Sequence, residues 1–245
     1  MSYVFKNRIQ FNIARPIEKM SKKYDYYQTH YREYHQRTFS IDPSSYLEPF
    51  AGRLAPRCRI LDIGCGSGRD LLWLKGKGFE VSGFESSPGL AGIARKMTEC
   101  TVIEGDFELY DFSGLSTDAI LASGSLVHLP HHRLSQVIQN FLKAIKNTQG
   151  SGKGPPDSDQ PQAHLYISLK EGNGKWTDKK GRVFYLWQAE ELNVIFGKLG
   201  FSVLEFSRTE SAMGTGEIWL GYVLEKKADS TEFSGSFLQM KTNAL

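Results

Sequence analysis

The sequence predicts an α/β fold with a doubly wound, mostly parallel sheet of seven strands. Apolar runs typical of buried strands alternate with helical patterns along most of the chain. A glycine-rich turn links the first strand to a helix, which is typical of chains that bind a ligand at the carboxyl edge of such a sheet. The last two strands follow each other without an intervening helix, and this predicts an antiparallel hairpin at the end of the domain.

Composition indicates one globular unit with appendages. The 245 residues are 40% hydrophobic and 23% charged, as expected for a chain that buries a core of its own. We expect an N-terminal arm and lid helices over residues 1–56, a Rossmann-like domain over 57–227 and a disordered tail over 228–245. We expect neither a membrane span nor a secretory leader, because no apolar run approaches the ~20 residues that cross a bilayer.

The three cysteines lack Cys-x-x-Cys spacing. This argues against a disulfide framework or a zinc site, and it favours a reducing compartment such as the cytoplasm. The sequence also shows no combination of His, Cys and Asp with the spacing of metal ligands. We therefore predict no metal site.

Positive charge is concentrated near the N-terminus. The formal net charge is only +3, but residues 1–40 hold eight Lys or Arg against three Asp or Glu. Two interpretations fit this imbalance: a solvated basic helix face, or a surface that binds nucleic acid or a membrane.

Residues 24–39 have the periodicity of a helix and carry an aromatic stripe. Four tyrosines at steps of three and four share one face: Tyr24, Tyr27, Tyr31 and Tyr34. Such a stripe packs in a core or, alternatively, forms the underside of a lid over a ligand cleft. Asp42 and Pro43 then predict the start of a second helix that extends to Phe50, with Asp42 as the N-cap.

The turn after the first strand has glycines at alternate positions. The strand and turn contain, in order, Ile60, Leu61, Ile63, Gly64, Gly66 and Gly68. Glycine lets the backbone turn tightly and approach a ligand closely, because no Cβ intervenes. The spacing is not the Gly-x-Gly-x-x-Gly of dinucleotide folds, and the carboxylate of Asp62 lies within the motif. A ligand that combines an amino acid with a nucleoside therefore fits better than a pyrophosphate.

The sequence Leu-Asp-Ile-Gly-Cys-Gly-Ser-Gly at residues 61–68 resembles the first motif of the class I S-adenosylmethionine (SAM)-dependent methyltransferases. The resemblance implies SAM as the cofactor and a sheet of strand order 3-2-1-4-5-7-6 with an N-terminal helical lid. It also implies that a Tyr-x-x-x-Thr pair, here Tyr34 and Thr38, lies near the methionine end of SAM. The cofactor-binding residues predicted from the motif itself are Asp62, Gly64, Cys65, Gly66 and Gly68, with the Cys65 side chain used for packing.

The second strand, residues 80–84, is followed by Glu85, which lies 17 residues after Gly68. In a doubly wound sheet the ligand lies over the carboxyl ends of the strands, where a carboxylate can accept hydrogen bonds from both ribose hydroxyls. We therefore predict that Glu85 and Ser86 bind a ribose. The Ser-Pro pair that starts at Ser87 predicts the beginning of a helix.

Residues 101–107 are predicted to form the third strand and its exit loop. In the class that the chain resembles, the equivalent loop holds adenine between an acidic side chain, which accepts from the exocyclic amine, and an apolar one. Asp106 and Phe107 match these positions. The fourth strand, residues 118–125, ends in small residues such as Ser123, which leave room for the sulfonium and its methyl group.

The remaining elements complete the alternation of strands and helices. Residues 134–145 have the clearest amphipathic helical pattern, and the Gly-, Pro- and Ser-rich residues 148–162 predict a flexible surface loop. The other predicted elements are a strand at 163–169, a polar loop at 171–182, a helix at 192–199 and hairpin strands at 201–209 and 217–225.

His128 follows the fourth strand, on the rim where a methyl acceptor would lie. Because an imidazole titrates near neutral pH, His128 is a candidate base or positioning group for the acceptor. The surrounding Ser-Leu-Val-His-Leu-Pro is common in the class, where the histidine also makes structural hydrogen bonds. Both roles remain open, since methyl transfer needs a base only when the acceptor must lose a proton.

A second group of reactive side chains follows the fifth strand. It comprises Lys170, Glu171, Trp176, Asp178 and Arg182. The planar guanidinium of Arg182 can bind a carboxylate or a phosphate, so Arg182 and Lys170 are the candidate acceptor-binding residues. The alternative is a solvated loop with local ion pairs. The pattern resembles a bacterial subgroup of the class whose substrates are small or unassigned.

We therefore expect methyl transfer from SAM to a small-molecule acceptor, with S-adenosylhomocysteine (SAH) as the product. Two alternatives remain: an RNA (for example tRNA) methyltransferase that uses the basic N-terminal arm, and a SAM-binding protein without catalysis. No Asn/Asp-Pro-Pro-Tyr follows the fourth strand and no Pro-Cys pair occurs, which argues against methylation of nucleic-acid bases through those motifs. The sequence does not indicate an oligomeric state.

Overall fold

The computed structural model describes residues 22–145 and 163–226. Within these ranges the strands are Arg59–Ile63 (β1), Glu80–Glu85 (β2), Thr101–Glu104 (β3), Ala119–Ser123 (β4), His164–Lys170 (β5), Lys175–Thr177 (β6), Val183–Tyr185 (β7), Phe201–Glu210 (β8) and Ile218–Lys226 (β9). The α-helices are Lys22–Thr29 (α1), Tyr31–Thr38 (α2), Ser44–Ala51 (α3), Arg69–Gly76 (α4), Pro88–Thr98 (α5), Leu134–Leu142 (α6) and Ala189–Lys198 (α7).

Seven strands form one sheet in the order β3-β2-β1-β4-β5-β9-β8. The first five strands in this order, β3, β2, β1, β4 and β5, are parallel to one another. The strand β9 pairs antiparallel with both β5 and β8. The predicted order and the terminal hairpin are confirmed, since β8 and β9 are the sixth and seventh strands of this sheet. Because the parallel strands all end at one edge, the loops that follow β1, β2, β3 and β4 lie side by side there.

Helices cover both faces of the sheet. On one face α6 and α7 bury a continuous apolar set: Leu134, Ile138, Phe141, Leu192 and Phe196. On the other face α3 and α4 bury Leu47, Phe50 and Leu74. Neighbouring residues of β1 alternate between these layers, which fixes the register because a slip by one residue would exchange the two faces.

The N-terminal segment differs from the single predicted helix over 24–39. It forms two helices that break at His30, whose Nδ1 lies 3.0 Å from the Tyr26 carbonyl oxygen. That side chain shares an acceptor with the backbone N–H of the same residue, which is a local alternative to regular helix hydrogen bonding. The next helix, α3, starts at Ser44, and the Asp42 carboxylate accepts from the Ser44 backbone N–H at 2.9 Å.

The predicted polar loop over 171–182 is a second correction. It contains β6, which pairs antiparallel with β7 in a two-stranded sheet. Trp176 and Phe184 are cross-strand partners whose rings stack with centroids 5.3 Å apart. Aromatic cross-strand pairs stabilise such ribbons, and the surrounding polar residues concealed this one in the sequence.

Several predictions fall on residues outside the described ranges. These are the arm before residue 22, the surface loop over 148–162 and the tail over 228–245. Within the described part of the chain, no helix has the length and apolar character required to cross a bilayer.

Candidate active site

A cleft lies at the carboxyl edge of the parallel strands, and we call it the first cleft. Strands β1, β2 and β4 contribute the loops of its floor, and the N-terminal helices cover it. Its lining residues are Tyr27, Tyr34, Gly64, Gly66, Phe84, Glu85, Ser86, Leu90, Phe107, Ser123, Gly124, Ser125 and His128. The loops after four different strands therefore meet at one place, and they bring together Gly64, Gly66, Glu85, Phe107 and Ser123.

The glycines of the turn do not all serve the cleft. Gly64 and Gly66 line it, with positive φ values of 76° and 56°, and an added Cβ at Gly64 would lie 2.4 Å from the Ser125 Cβ. Gly68 also has a positive φ, but it faces α5, where an added Cβ would lie 2.8 Å from Cγ2 of Thr98. Gly68 is therefore required for the packing of α5 on the turn rather than for contact with a ligand.

Glu85 is the acidic group at the floor of the cleft and is only 6% exposed. Its Oε2 accepts from the Gly66 backbone N–H at 2.9 Å, and its Oε1 accepts from the Ser87 N–H at 2.8 Å and from the Ser86 hydroxyl at 3.3 Å. Burial raises the pKa of Glu85 above its ordinary value, and the backbone N–H groups of Ser87 and Gly66 oppose that rise. The hydrogen bonds hold the carboxylate in one orientation.

The loop after β3 brings Phe107 into the cleft, and Leu90 of α5 lines the same cleft. Glu85 and Asp106 lie at the same edge of the sheet, because the Gly105 N–H donates to the Glu85 carbonyl oxygen at 3.1 Å. The Asp106 side chain accepts from the Glu108 N–H at 2.9 Å and is not part of the lining. Of the predicted adenine pair, the structure therefore places Phe107 in the cleft and Asp106 beside it.

Asp62 and Cys65 lie behind the glycine turn instead of in the cleft. Asp62 is 2% exposed, and its Oδ2 has no hydrogen-bond partner among the described residues. Burial, with the nearby Asp70 as the next cause, raises the pKa of Asp62 well above its ordinary value. Cys65 is 8% exposed and packs against Gly83, as predicted for a packing residue, and burial also raises the pKa of its thiol.

The end of β4 forms the wall between the two halves of the site. Ser123 and Gly124 are small, and the Gly124 N–H donates to the Ser168 hydroxyl at 2.9 Å. The Ser125 hydroxyl oxygen is buried without a hydrogen-bond partner among the described residues, although its residue lines the first cleft. A buried polar atom in this position is costly unless a ligand or water completes its hydrogen bonding.

The N-terminal helices form the roof of the first cleft. Tyr34 approaches the glycine turn, since an added Cβ at Gly66 would lie 3.6 Å from the Tyr34 ring. Thr38 is 9% exposed and donates its hydroxyl to the Tyr34 carbonyl oxygen at 2.8 Å. Tyr34 lines the first cleft and Thr38 does not, so only one member of the predicted Tyr-x-x-x-Thr pair reaches it.

His128 makes hydrogen bonds through both ring nitrogens. Its Nδ1 lies 2.5 Å from the carbonyl oxygen of Val183 in β7, and its Nε2 lies 2.9 Å from the Tyr27 hydroxyl. A carbonyl oxygen only accepts, which assigns the ring proton of the neutral imidazole to Nδ1 and leaves Nε2 as an acceptor. His128 thus joins β7 to α1, and it also lines the first cleft.

A second cleft of about 310 Å³ adjoins the first and shares Tyr27, Tyr34, Ser123 and Gly124 with it. It lies between α2, α3, β5 and the β8–β9 connection. Further aromatic rings in its lining belong to Tyr46, Tyr166, Phe184 and Trp219. The first cleft is narrower, at about 80 Å³.

Both predicted acceptor-binding residues line this second cleft, and both are paired. The Lys170 ammonium is 2.6 Å from the Glu217 carboxylate, 4.2 Å from the centre of the Phe184 ring and 5.3 Å from that of Trp219. The Arg182 guanidinium donates from Nε to the Asp178 carboxylate at 2.8 Å. The local ion pair expected as the alternative for Arg182 is therefore present, although its side chain is mostly buried and borders the cleft.

The family profile described as "Methyltransferase domain" matches residues 60–148, from β1 past α6. This range includes the glycine turn, Glu85, Phe107 and His128. This part of the chain is thus similar to a methyltransferase domain. A curated relative, the probable S-adenosyl-L-methionine-dependent methyltransferase TehB of Haemophilus influenzae, is 24% identical over 133 residues. That match covers 53% of this chain and 43% of the relative, so the chain spans less than half of the relative's length.

Solved methyltransferases share the fold of this domain. The 1,6-didemethyltoxoflavin-N1-methyltransferase of Burkholderia thailandensis, with its substrate and SAH bound, has a TM-score of 0.65 at 16% identity, over 88% of this chain and 94% of that one. The magnesium protoporphyrin IX methyltransferase of Synechocystis PCC 6803 with bound SAM has a TM-score of 0.60 at 15% identity, over 86% of this chain and 100% of that one.

Sequence analysis missed two groups of residues that line the clefts. One is Tyr27, which was assigned only to the aromatic stripe. The other is a cluster at the start of α4, where Arg69 donates to the Asp70 carboxylate at 2.6 Å and the Tyr46 hydroxyl donates to the same carboxylate at 2.8 Å. The Arg-Asp pair directly after the glycine turn was the available indication, but the contact with Tyr46 of α3 depends on tertiary packing.

Proposed function

We propose that the chain transfers a methyl group from SAM to a small-molecule acceptor and releases SAH. The observation that carries this proposal is the convergence of a close backbone approach, a buried carboxylate and an aromatic face in the first cleft. Gly66, Glu85 and Phe107 supply these three features from the ends of three neighbouring strands. An amino acid linked to a nucleoside needs all three.

The residues of the first cleft fit such a ligand in their chemistry. Glu85 is oriented by backbone N–H groups, so it can accept hydrogen bonds from two ribose hydroxyls without reorganising. Phe107 and Leu90 offer apolar surface to adenine, and Ser86 offers a hydroxyl next to Glu85. The unpartnered hydroxyl of Ser125 would gain a hydrogen bond from a polar group of the ligand.

The remaining predicted residues have supporting roles in this proposal. Asp62 and Cys65 lie behind the turn, where Cys65 packs against Gly83, while Gly64 and Gly66 allow close approach. Asp106 fixes the loop of Phe107 through its bond to the Glu108 N–H. Tyr34 closes the roof, and Thr38 anchors the end of α2.

The chemistry requires positioning more than covalent help. When bound, SAM supplies a methyl group on a sulfonium, which is an excellent leaving group. The side chains at the end of β4 leave space where the clefts meet, and an acceptor held there in line with the methyl group needs little further activation.

The second cleft supports a small molecule as the acceptor. It is bounded on one side by α2 and α3 and on the other by the β8–β9 connection, and it opens directly onto the first cleft. A cavity of about 310 Å³ is of the size that accommodates a small ligand. Most of the basic arm on which the RNA alternative depends precedes the described residues.

A ligand screen followed by a transfer assay tests the proposal. We expect SAM and SAH, but not NAD, to raise the melting temperature of the full chain, because a ligand that binds only the folded state stabilises it. With methyl-labelled SAM and a bacterial extract split into small-molecule and RNA fractions, we expect label in the small-molecule fraction. Label in RNA would support the RNA alternative, and SAM binding without transfer would support the non-catalytic one.

A further inference from the structure

A tyrosine of the first helix stands at the junction of the two clefts. Tyr27 lines both, whereas His128 lines the first cleft and not the second. The Tyr27 hydroxyl donates to His128 Nε2 at 2.9 Å, while Nδ1 of the same ring is held by the Val183 carbonyl oxygen. A molecule in the second cleft would therefore be linked to His128 through the hydroxyl of Tyr27 and its hydrogen bond to the imidazole.

The charges around Tyr27 come from several elements. Burial raises the pKa of Tyr27, and the nearby Tyr34 of α2 and Glu85 of β2 act in the same direction. Arg182, whose guanidinium lies 5.9 Å from the centre of the Tyr27 ring, lowers it through its charge and through a hydrogen bond to the Tyr27 hydroxyl oxygen. The buried hydroxyl is thus kept neutral, in the form that can accept one proton while it donates another.

The second cleft has the electrostatics of a site for a neutral molecule. Each described cation in its lining has a carboxylate within salt-bridge distance: Arg37 with Glu33, Arg69 with Asp70, Lys170 with Glu217 and Arg182 with Asp178. Since these positive charges are already compensated, an anionic acceptor would have to displace a carboxylate. Aromatic side chains supply the remaining surface, which suits a planar ring.

We propose that Tyr27 is a catalytic residue that transfers a proton from a neutral, planar aromatic hydroxyl acceptor in the second cleft to His128. This inference rests on the proposed function and names the acceptor class and the proton path for the same site. His128 then acts as the base without contacting the acceptor. The earlier expectation that Arg182 binds a carboxylate or phosphate of the acceptor is replaced by a role beside Tyr27.

The step is balanced as follows. The acceptor O–H bond breaks, and its proton passes to the Tyr27 oxygen while the proton of Tyr27 passes to His128 Nε2. The electron pair left on the acceptor oxygen forms the bond to the methyl group, and the pair of the broken sulfur–carbon bond stays on sulfur. The imidazolium, whose Nδ1–H still donates to the Val183 carbonyl oxygen, later releases the proton to water.

A chromogenic phenol tests this proton path without knowledge of the natural acceptor. The probe is 4-nitrophenol, added to the full chain saturated with SAH, so that no sulfonium charge is present. The absorbance of the phenolate is followed over a pH series, for the free and for the bound probe. We expect the bound probe to titrate at least about one pH unit below the free probe, and so to show an excess of phenolate between the two midpoints, because its proton passes through Tyr27 to His128.

Variants and a matched anion complete the test. Tyr27→Phe should abolish the excess phenolate while preserving the ring and its packing, and Tyr26→Phe, one residue away, should keep it. We expect 4-nitrobenzoate to bind at least about tenfold more weakly than 4-nitrophenol. An unchanged phenolate signal in Tyr27→Phe, no excess in the wild-type protein, or equal binding of the two probes would overturn the inference.

Calorimetry with SAH alone distinguishes an incorrect proton path from an incorrect proposed function. If SAH binds but the phenol shows no shift, the proton path is wrong and the methyltransferase proposal stands. If SAH does not bind, the proposed function itself fails. SAH binding by Tyr27→Phe should remain within a fewfold of wild type, which shows that the variant is folded.

Discussion

At the scale of single residues, Glu85 has the clearest consequence for ligand binding. It is a buried carboxylate whose pKa is raised by burial, and only its ionised form offers both oxygens as acceptors to two ribose hydroxyls. We therefore expect the affinity for SAH to be complete at neutral pH and to fall as the pH is lowered through the raised pKa of Glu85. Calorimetry over a pH series measures this dependence.

The Glu85→Gln variant serves as the control for that pH series. Its amide does not titrate, so it should bind SAH at least about tenfold more weakly at neutral pH and should lack the wild-type pH dependence in this range. An acidic decline of the same size in Glu85→Gln would show that another group is responsible.

The residues of the site differ in how far the sequence determined them. Glu85 was predicted because it follows a strand that ends at the ligand edge of a parallel sheet, whereas Phe107 was predicted only through the resemblance to the methyltransferase class. The role of Gly68 was not predicted, because its contact with α5 depends on how α4 and α5 pack against each other. The bond between Tyr27 and His128 joins residues 101 positions apart, and no local pattern encodes such a pair.

At the scale of elements, two glycines of the turn have different roles: Gly68 is needed for packing against α5, and Gly66 for the approach of a ligand. We expect Gly68→Ala to destabilise the fold by about 2–4 kcal/mol, because it combines a left-handed φ with a clash against Thr98 and Ala94. Gly66→Ala should cost only about 1–2 kcal/mol of stability, since its Cβ has room, yet it should impair SAH binding strongly. Urea unfolding and calorimetry measure the two effects.

Gly92 offers a matched control for these variants. It lies within α5, and an added Cβ would meet no atom within 4 Å. Gly92→Ala should therefore stabilise the protein by about 0.5–1 kcal/mol and leave SAH binding unchanged. Similar stability losses in Gly66→Ala and Gly68→Ala would contradict the division of roles.

A side chain of α1 forms hydrogen bonds that connect the lid helices to the start of α5. The Gln28 Oε1 accepts from the Gly89 N–H and from the Ser87 hydroxyl, each at 2.9 Å. We expect Gln28→Ala to reduce stability by about 1 kcal/mol and to accelerate amide exchange across residues 26–38. Hydrogen exchange followed by mass spectrometry measures this, with the exposed Gln36→Ala as the control. Unchanged exchange in Gln28→Ala would show that the lid is held by other contacts.

The lid also forms part of the first cleft, since Tyr27 of α1 and Tyr34 of α2 both line it. The long elements of the sheet were predictable from their apolar patterns, whereas the break at His30 and the β6–β7 ribbon were not. Both depend on side-chain contacts formed only in the folded chain, such as the stacking of Trp176 on Phe184.

At the scale of the whole molecule, the sheet order places the two clefts on opposite sides of the end of β4. The first cleft gathers the loops after β1, β2 and β3, and the second lies towards β5 and the antiparallel hairpin. This arrangement lets a cofactor site formed by the parallel strands meet an acceptor site formed largely by other elements.

A crystal structure of the full chain with SAH tests the central claim most directly. The account predicts one SAH in the first cleft, with both ribose hydroxyls within hydrogen-bonding distance of Glu85, adenine against Phe107 and the sulfur facing Ser123 and the second cleft. A ribose bound away from Glu85, or SAH found outside this cleft, would contradict it.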